Sequence, residues 1–183
     1  CDEGPSYWGA AGALLYECLE LMKVATGGKF DVFDDPLVQN IGKYFYQVNI
    51  HAPYFINLNA DDVEWPKSRQ RLMDAAHYGN LAGATDIVFH PGSYFGKPAQ
   101  EVLPFAIERL KGCLDELRSN GNPVILRPET MGKSAMLGSL ADTLEMSRTL
   151  VGVEPCLDFA HLHARAGDGS VNTYEDWVKI LEE

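Results

Sequence analysis

Groups of metal-ligand type close one apolar, strand-like run after another in this chain. His51 ends "YQVNIH" (46–51), His90 ends "DIVFH" (86–90), Glu129 ends "PVILRPE" (123–129), and Asp158 and His161 fall in "VEPCLDFAH" (153–161). His51 to His90 and His90 to Glu129 are each 39 residues, and Glu129 to Asp158 is 29. Imidazoles gathered with carboxylates are the donor set that zinc, manganese or iron would favour. One His or one carboxylate at a strand end ordinarily just hydrogen-bonds or caps the next helix. Recurrence at unit spacing argues otherwise, because an eight-unit barrel of about 250 residues spends roughly 31 on each βα unit. Several such groups sharing one cleft are costly unless a cation compensates them. The spacing predicts a metal site.

The elements that would position these groups alternate. Between the 46–51 and 86–90 runs, "WPKSRQRLMDAAHYGNLAGA" carries apolar residues at 72, 75, 76 and 81–82, one face of a helix, with Pro66 in its first turn. Between the 86–90 and 123–129 runs, Val102, Phe105, Ala106, Leu110, Cys113, Leu114 and Leu117 form a helical stripe that Gly121 would stop. Ser139 followed by Asp142 is a capping signal for a third helix, and "TYEDWVKILEE" reads as a last one. The segment 29–45 would supply the helix before the 46–51 run, capped by Asp34 or Asp35. "ALLYECLELM" (13–22) reads as strand or helix. Strands alternating with helices imply βαβ units and a parallel sheet, whose C-terminal edge is where active sites are built.

The bulk properties set bounds. The chain has 183 residues, 46% hydrophobic and 22% charged, as expected of one globular domain over 1–183. No apolar run reaches the roughly 18 to 20 residues of a membrane span, so no membrane partner is expected. The opening "CDEGPSYWG" lacks the blocks of a signal peptide, and Cys1, Cys18, Cys113 and Cys156 form no C-x-x-C. A reduced, cytoplasmic protein is the expectation. The net charge of −11 runs against electrostatic binding of nucleic acid, unless carboxylates surround metal ions that reverse the local field.

With these residues in hand, the chain resembles the endonuclease IV family of apurinic/apyrimidinic endonucleases, within the xylose-isomerase-like group of TIM barrels. The resemblance runs from about residue 46 to 166. It rests on "HAPYFINL" (51–58), "FHPGS" (89–93), the Glu of "LRPETMGK" (126–133) and "CLDFAHLHA" (156–164). "PETMGK" with "DFAHLHARAG" is most similar to an archaeal-type branch. The resemblance implies a (β/α)8 barrel and up to three zinc ions: His51 and His90 on the first, Glu129 bridging to a second, Asp158 on the second and His161 on the third. Tyr54 would enter DNA at the lesion. Apart from the resemblance, Lys133 after Gly132 and Arg165 beside the Asp158–His161 turn are each open to two readings, a substrate-phosphate contact or a merely solvated charge, with Arg165 the better placed. The implied activity is hydrolysis of the phosphodiester 5′ to an abasic site by a metal-bridged hydroxide, with Glu129 the catalytic carboxylate and lesion-bearing DNA the partner.

The family pattern also has a His, an Asp-x-His pair and a late Glu from the last two strands, and none follows here. The barrel is therefore expected to be incomplete, from a fragment of a longer product or a chain completed by self-association through its open edge. The His51–His90–Glu129 set is the one expected to stand alone. Two other readings remain. A sugar isomerase or epimerase of the same superfamily would use Glu129, Asp158 and His161 on one manganese or magnesium, leaving His51 and His90 without a task. A non-catalytic partner-binding fragment would hold no stoichiometric metal. Of the remaining polar residues, Arg127 shares the ambiguity of Arg165, His77 is expected on a polar helix face, and Asn57 is expected to hold its loop by backbone hydrogen bonds. An extended segment would turn His163 away from His161.

Overall fold

The computed structural model describes residues 19, 21–29, 31 and 49–182. The chain divides into two compact units, Cys1–Val48 and Asn49–Glu183. In the first, residues 21–25 are helical, which resolves the end of the 13–22 run as helix, and Lys23 pairs with Asp31 at 2.7 Å. The expected caps Asp34 and Asp35 lie outside the described residues.

The second unit carries the site. Its strands β1 (Asn49–His51), β2 (Asp86–Phe89) and β3 (Ile125–Pro128) form a parallel sheet in sequence order. The register sets His51 beside Val88 and Val88 beside Arg127. Helix α1 (Trp65–Leu81) connects β1 to β2 and α2 (Ala99–Ser119) connects β2 to β3. Helices α3 (Leu140–Thr149), α4 (Phe159–Ala166) and α5 (Tyr174–Leu181) follow. Consecutive parallel strands joined by helices are the repeating unit of a βα barrel.

The fourth run behaves differently from the expectation. It pairs beside β3 through two parallel bridges, Val153 with Leu126 and Cys156 with Glu129. Cys156 N donates to Pro128 O at 3.0 Å and Thr130 N to Cys156 O at 2.9 Å. Extended backbone then stops, because Asp158 caps α4 by accepting from His161 N at 2.8 Å. His161 sits in a first helical turn and not at a strand end.

Alternation sorts the strand residues. Ile87, Phe89 and Leu126 are fully buried in the core that α1 and α2 cover, with Leu72 and Ala76 from α1 and Ala106, Leu110 and Cys113 from α2. Gly79 lets α1 lie close, since a Cβ there would meet Ile87 Cδ1 at 2.5 Å. His51, Val88 and Arg127 share the opposite face. His90 and Glu129 extend it one residue past their strands. Three expected core positions are open to solvent: Leu81 and Ala82, at the very end of α1, and Phe105, whose ring takes the Arg109 guanidinium at 4.0 Å. Ser139 and Asp142 form the expected capping box, and Gly121, at φ +70°, stops α2. Among the described residues no helix is long and apolar enough to cross a membrane.

Candidate metal centre

Three imidazoles converge on one carboxylate. His51 Nε2 lies 2.9 Å and His90 Nε2 3.2 Å from Glu129 Oε2, while His161 Nδ1 lies 3.2 Å from Glu129 Oε1. Asp158 Oδ2 is 3.4 Å from the same His161 nitrogen. Two donor sets result, His51–His90–Glu129 and Glu129–Asp158–His161, each with its ligand atoms within 4.8 Å of one another. The His51 and His90 rings meet edge to face at 4.9 Å. Glu129 is 7% and His90 9% exposed, so both are ordered by their surroundings before anything binds.

Hydrogen-bond bookkeeping tests whether a cation fits. The Ala52 carbonyl, 2.7 Å from His51 Nδ1, can only accept, so Nδ1 carries the proton. Neutral His51 then presents a bare lone pair at Nε2 to a carboxylate oxygen that also only accepts. Something positive must sit between them: a proton in the metal-free protein, or a metal. In the metal-free protein the bond to Glu129 raises the His51 pKa above its ordinary 6.5, which favours the proton. Burial alone would push the Glu129 carboxyl up, but His51 and His90 hold it far below its ordinary value. His161 Nδ1 meets three oxygens that can only accept, Thr130 O at 2.9 Å, Glu129 Oε1 at 3.2 Å and Asp158 Oδ2 at 3.4 Å, so a proton or a cation belongs there as well. His90 Nδ1 is buried and has no hydrogen-bond partner. Three neutral nitrogens and two carboxylates, the donor set of zinc and manganese sites, fit a divalent ion.

A pH dependence follows for the metal-free protein. The His51 contribution, from a raised pKa, is complete below 6.5 and lost as pH rises through the folded value. The Glu129 contribution, from a lowered pKa, is present above 4.5 and lost as pH falls through the folded value. The melting temperature of chelated protein is therefore expected to fall between pH 6 and pH 8. With metal bound the slope should flatten or reverse, because deprotonation favours the bound ion. Thermal scans at both pH values check this. An upward slope without metal would contradict the protonated pair.

The loop after β2 explains why Pro-Gly follows His90. Gly92 has φ +119°, and a Cβ there would collide with the Asn57 side-chain amide. The oxygen of that amide accepts from Asn59 N at 3.0 Å and Ser93 N at 3.3 Å, as expected of Asn57. Leu58 N donates to Pro91 O at 2.8 Å, so the loops after β1 and β2 are stitched together beneath His51 and His90. Gly92→Ala is expected to cost about 1–3 kcal/mol from backbone strain alone, plus the displaced Asn57. A lowered urea midpoint with an unchanged m-value would record it.

The other expected site residues scatter. Tyr54 stands 58% exposed with its ring edge-on to His90 at 4.8 Å. Lys133 is exposed on the loop after β3. Arg165 is engaged in that loop instead of pointing free: its Nη1 donates to the carbonyls of Met131, Lys133 and Met136 at 2.9 to 3.1 Å, and its Nη2 to Tyr94 OH at 3.3 Å. Arg165 thus holds the segment that carries Lys133. Arg127 ties the sheet through buried Asp86 and through Glu154. His163, two residues beyond His161 on the same helix, bonds Val171 O, and His77 is exposed. Sequence reasoning missed Thr130, fully buried, whose hydroxyl accepts from Asp158 N at 2.9 Å and whose carbonyl orients His161. It also missed Tyr94, whose hydroxyl bonds the buried Asp142 carboxylate. Neither position belongs to a ligand pattern, so no signal marked them. Cys156 lies beside Glu129, and burial with that charge pushes its thiol up to about 11.

Comparisons with known proteins agree with the parallel βα architecture. A family profile described as xylose isomerase-like TIM barrel matches residues 13–182. An uncharacterized protein of Methanocaldococcus jannaschii is 39% identical over 135 residues, covering 73% of this chain and 48% of that protein. Endonuclease 4 of Thermus thermophilus is 34% identical over 137 residues, covering 73% and 45%. Among solved structures, an endonuclease IV, also from Thermus thermophilus, superposes with a TM-score of 0.59 at 23% identity, over 81% of this chain and 53% of that one. A D-tagatose 3-epimerase-like protein gives 0.54 at 18%, over 68% and 49%. At these identities the structures share the fold. The chain spans about half the length of the curated relatives it matches.

Proposed function

Because the chain belongs to the xylose isomerase-like TIM barrel family, we propose that it carries the catalytic groups of a metal-dependent endonuclease, acting on the phosphodiester 5′ to abasic sites in DNA inside the cell. One observation carries this reading: His51 and His90 share Glu129 Oε2 while His161 faces Oε1, so a single carboxylate serves two donor sets. A single-ion isomerase would leave His51 and His90 idle, whereas two ions side by side suit phosphodiester hydrolysis. The relatives named endonuclease 4 support the same direction.

Zinc ions held there would acidify a water and offset charge developing on the phosphate oxygens. The protein's share is positional. The Ala52 carbonyl fixes the tautomer of His51, so its bare Nε2 faces Glu129, and the Thr130 carbonyl holds the His161 ring beside Glu129 Oε1. Glu129, buried and held ionised, supplies fixed negative charge without reorganisation. Tyr54, packed on His90 yet open to solvent, would lie against the nucleotide at the lesion. Lys133 would approach a phosphate from the loop that Arg165 braces.

Incision of a duplex carrying one abasic analogue, with and without chelator, tests the reading. Chelator-sensitive cleavage on the 5′ side, with two or three zinc per chain, is expected. One manganese or magnesium with ketose epimerisation would replace the nuclease by the isomerase. No stoichiometric metal and no cleavage would leave a binding module.

A further inference from the structure

The turn just beyond the His-Pro-Gly loop breaks a conformational rule. Lys97 N donates to Tyr94 O at 3.1 Å, closing a four-residue turn whose central residues, Phe95 and Gly96, have φ of +52° and +72°. Two positive φ values are the mark of a type I′ turn, a position that Asn, Asp or Gly occupies in the ordinary case. A bulky residue in the left-handed region is an outlier. Phe95 is the one non-glycine residue with positive φ among the described residues. Burial does not offset the strain, since the ring is 62% exposed. Local packing therefore does not account for an aromatic side chain here.

Its surroundings do. Phe95 stands on the wall between two grooves of about 600 and 520 Å³. The smaller one runs from Phe95 past Gly92 and Asn57 to Tyr54, whose ring abuts the metal-ligand candidate His90. This groove is thus continuous with the candidate catalytic mouth. Its far rim carries Asp61 and Glu64, which repel phosphate, and the Arg71 guanidinium there donates to the Phe55 carbonyl at 3.1 Å. A nucleic acid strand could not lay its backbone on that rim, but a base is uncharged and offers a flat apolar face. We propose that Phe95 is a base-stacking residue, presenting its ring to a nucleobase of the DNA strand that flanks the reacting phosphodiester. The proposal rests on the endonuclease reading above. Stacking on an aromatic ring tolerates any sequence, as a lesion-directed enzyme requires.

Phe95→Asn tests it, because Asn accepts positive φ and removes the ring. The probe is a fluorescein-labelled duplex with one abasic analogue and a phosphorothioate at the 5′ linkage, titrated with zinc-loaded full chain by anisotropy. Base–aromatic stacking lost on truncation corresponds to a Kd raised about 5- to 150-fold. The melting temperature should hold or rise as the strain is relieved, and Phe95→Trp should stay within about 2-fold of wild type. A Phe95→Asn protein that binds as wild type does, or that melts markedly lower because the ring is structural, overturns the proposal. Should the wild-type chain itself not bind the duplex, the endonuclease reading fails and this one with it. The two failures are thereby told apart.

Discussion

Glu129→Gln is expected to lose stoichiometric metal and all measurable hydrolysis. The substitution keeps the shape of the side chain and removes its charge. Glu129 now offers one oxygen to His51 and His90 and the other to His161, and the His51 and His90 imidazoles hold its carboxyl well below the ordinary carboxylate range. A Gln would offer one accepting oxygen and turn an NH2 donor toward the remaining imidazoles, excluding a cation from one donor set and weakening the other. Changes to groups that merely orient a ligand cost about 10- to 100-fold in metal affinity. Loss of a ligand shared by two sets should exceed about 100-fold. Metal analysis after dialysis against micromolar zinc, alongside the incision assay, reads both effects. A Glu129→Gln protein that kept its metal would show that the carboxylate is an ordinary ion-pair partner of His51.

Stripping the metal is expected to produce the second large effect. A ligand bound only to the folded state contributes RT ln(1 + [L]/Kd), about 4 kcal/mol at a free concentration near a thousand times Kd. For a chain of this size each kcal/mol moves the melting temperature by roughly 2–4 °C, so excess chelator should lower it by about 10 °C. His161→Ala refines the measurement. It removes a ligand from the Glu129–Asp158–His161 set and leaves His51, His90 and Glu129 in place. One equivalent of metal should disappear and one should remain. If chelator left the melting temperature unchanged in the wild-type chain, neither donor set would be a structural metal site.

His51, His90 and Glu129 were legible because each closes an apolar run at the period of a βα unit, and strand ends in a parallel sheet meet at one edge. Asp158 and His161 were legible as types but not as geometry. The apolar run containing them continues across the Asp158 cap without a change of composition, so only the structure shows helix beginning at Phe159. His161 and Asp158 then come together by capping and not by strand alternation. Arg165 read as either a phosphate contact or a solvated charge, because only its place beside the Asp158–His161 turn was visible. Three carbonyls of a loop 29 to 34 residues away claim it, a contact no local pattern encodes. Phe95 was invisible for the opposite reason: a turn signal is read from Asn, Asp or Gly, and an aromatic ring in that place hides it.

A carboxylate divided between two sites also makes them thermodynamically inseparable. An ion on the His51–His90 side draws on Glu129 Oε2 and reduces the negative charge left at Oε1 for an ion beside His161. Sequential dissociation constants should therefore differ even if the two donor sets were otherwise alike, with the second ion held more weakly. Reciprocity requires that whatever factor the first ion imposes on the second, the second imposes on the first. Chelator titrations should resolve two waves, and Glu129 sets the gap between them.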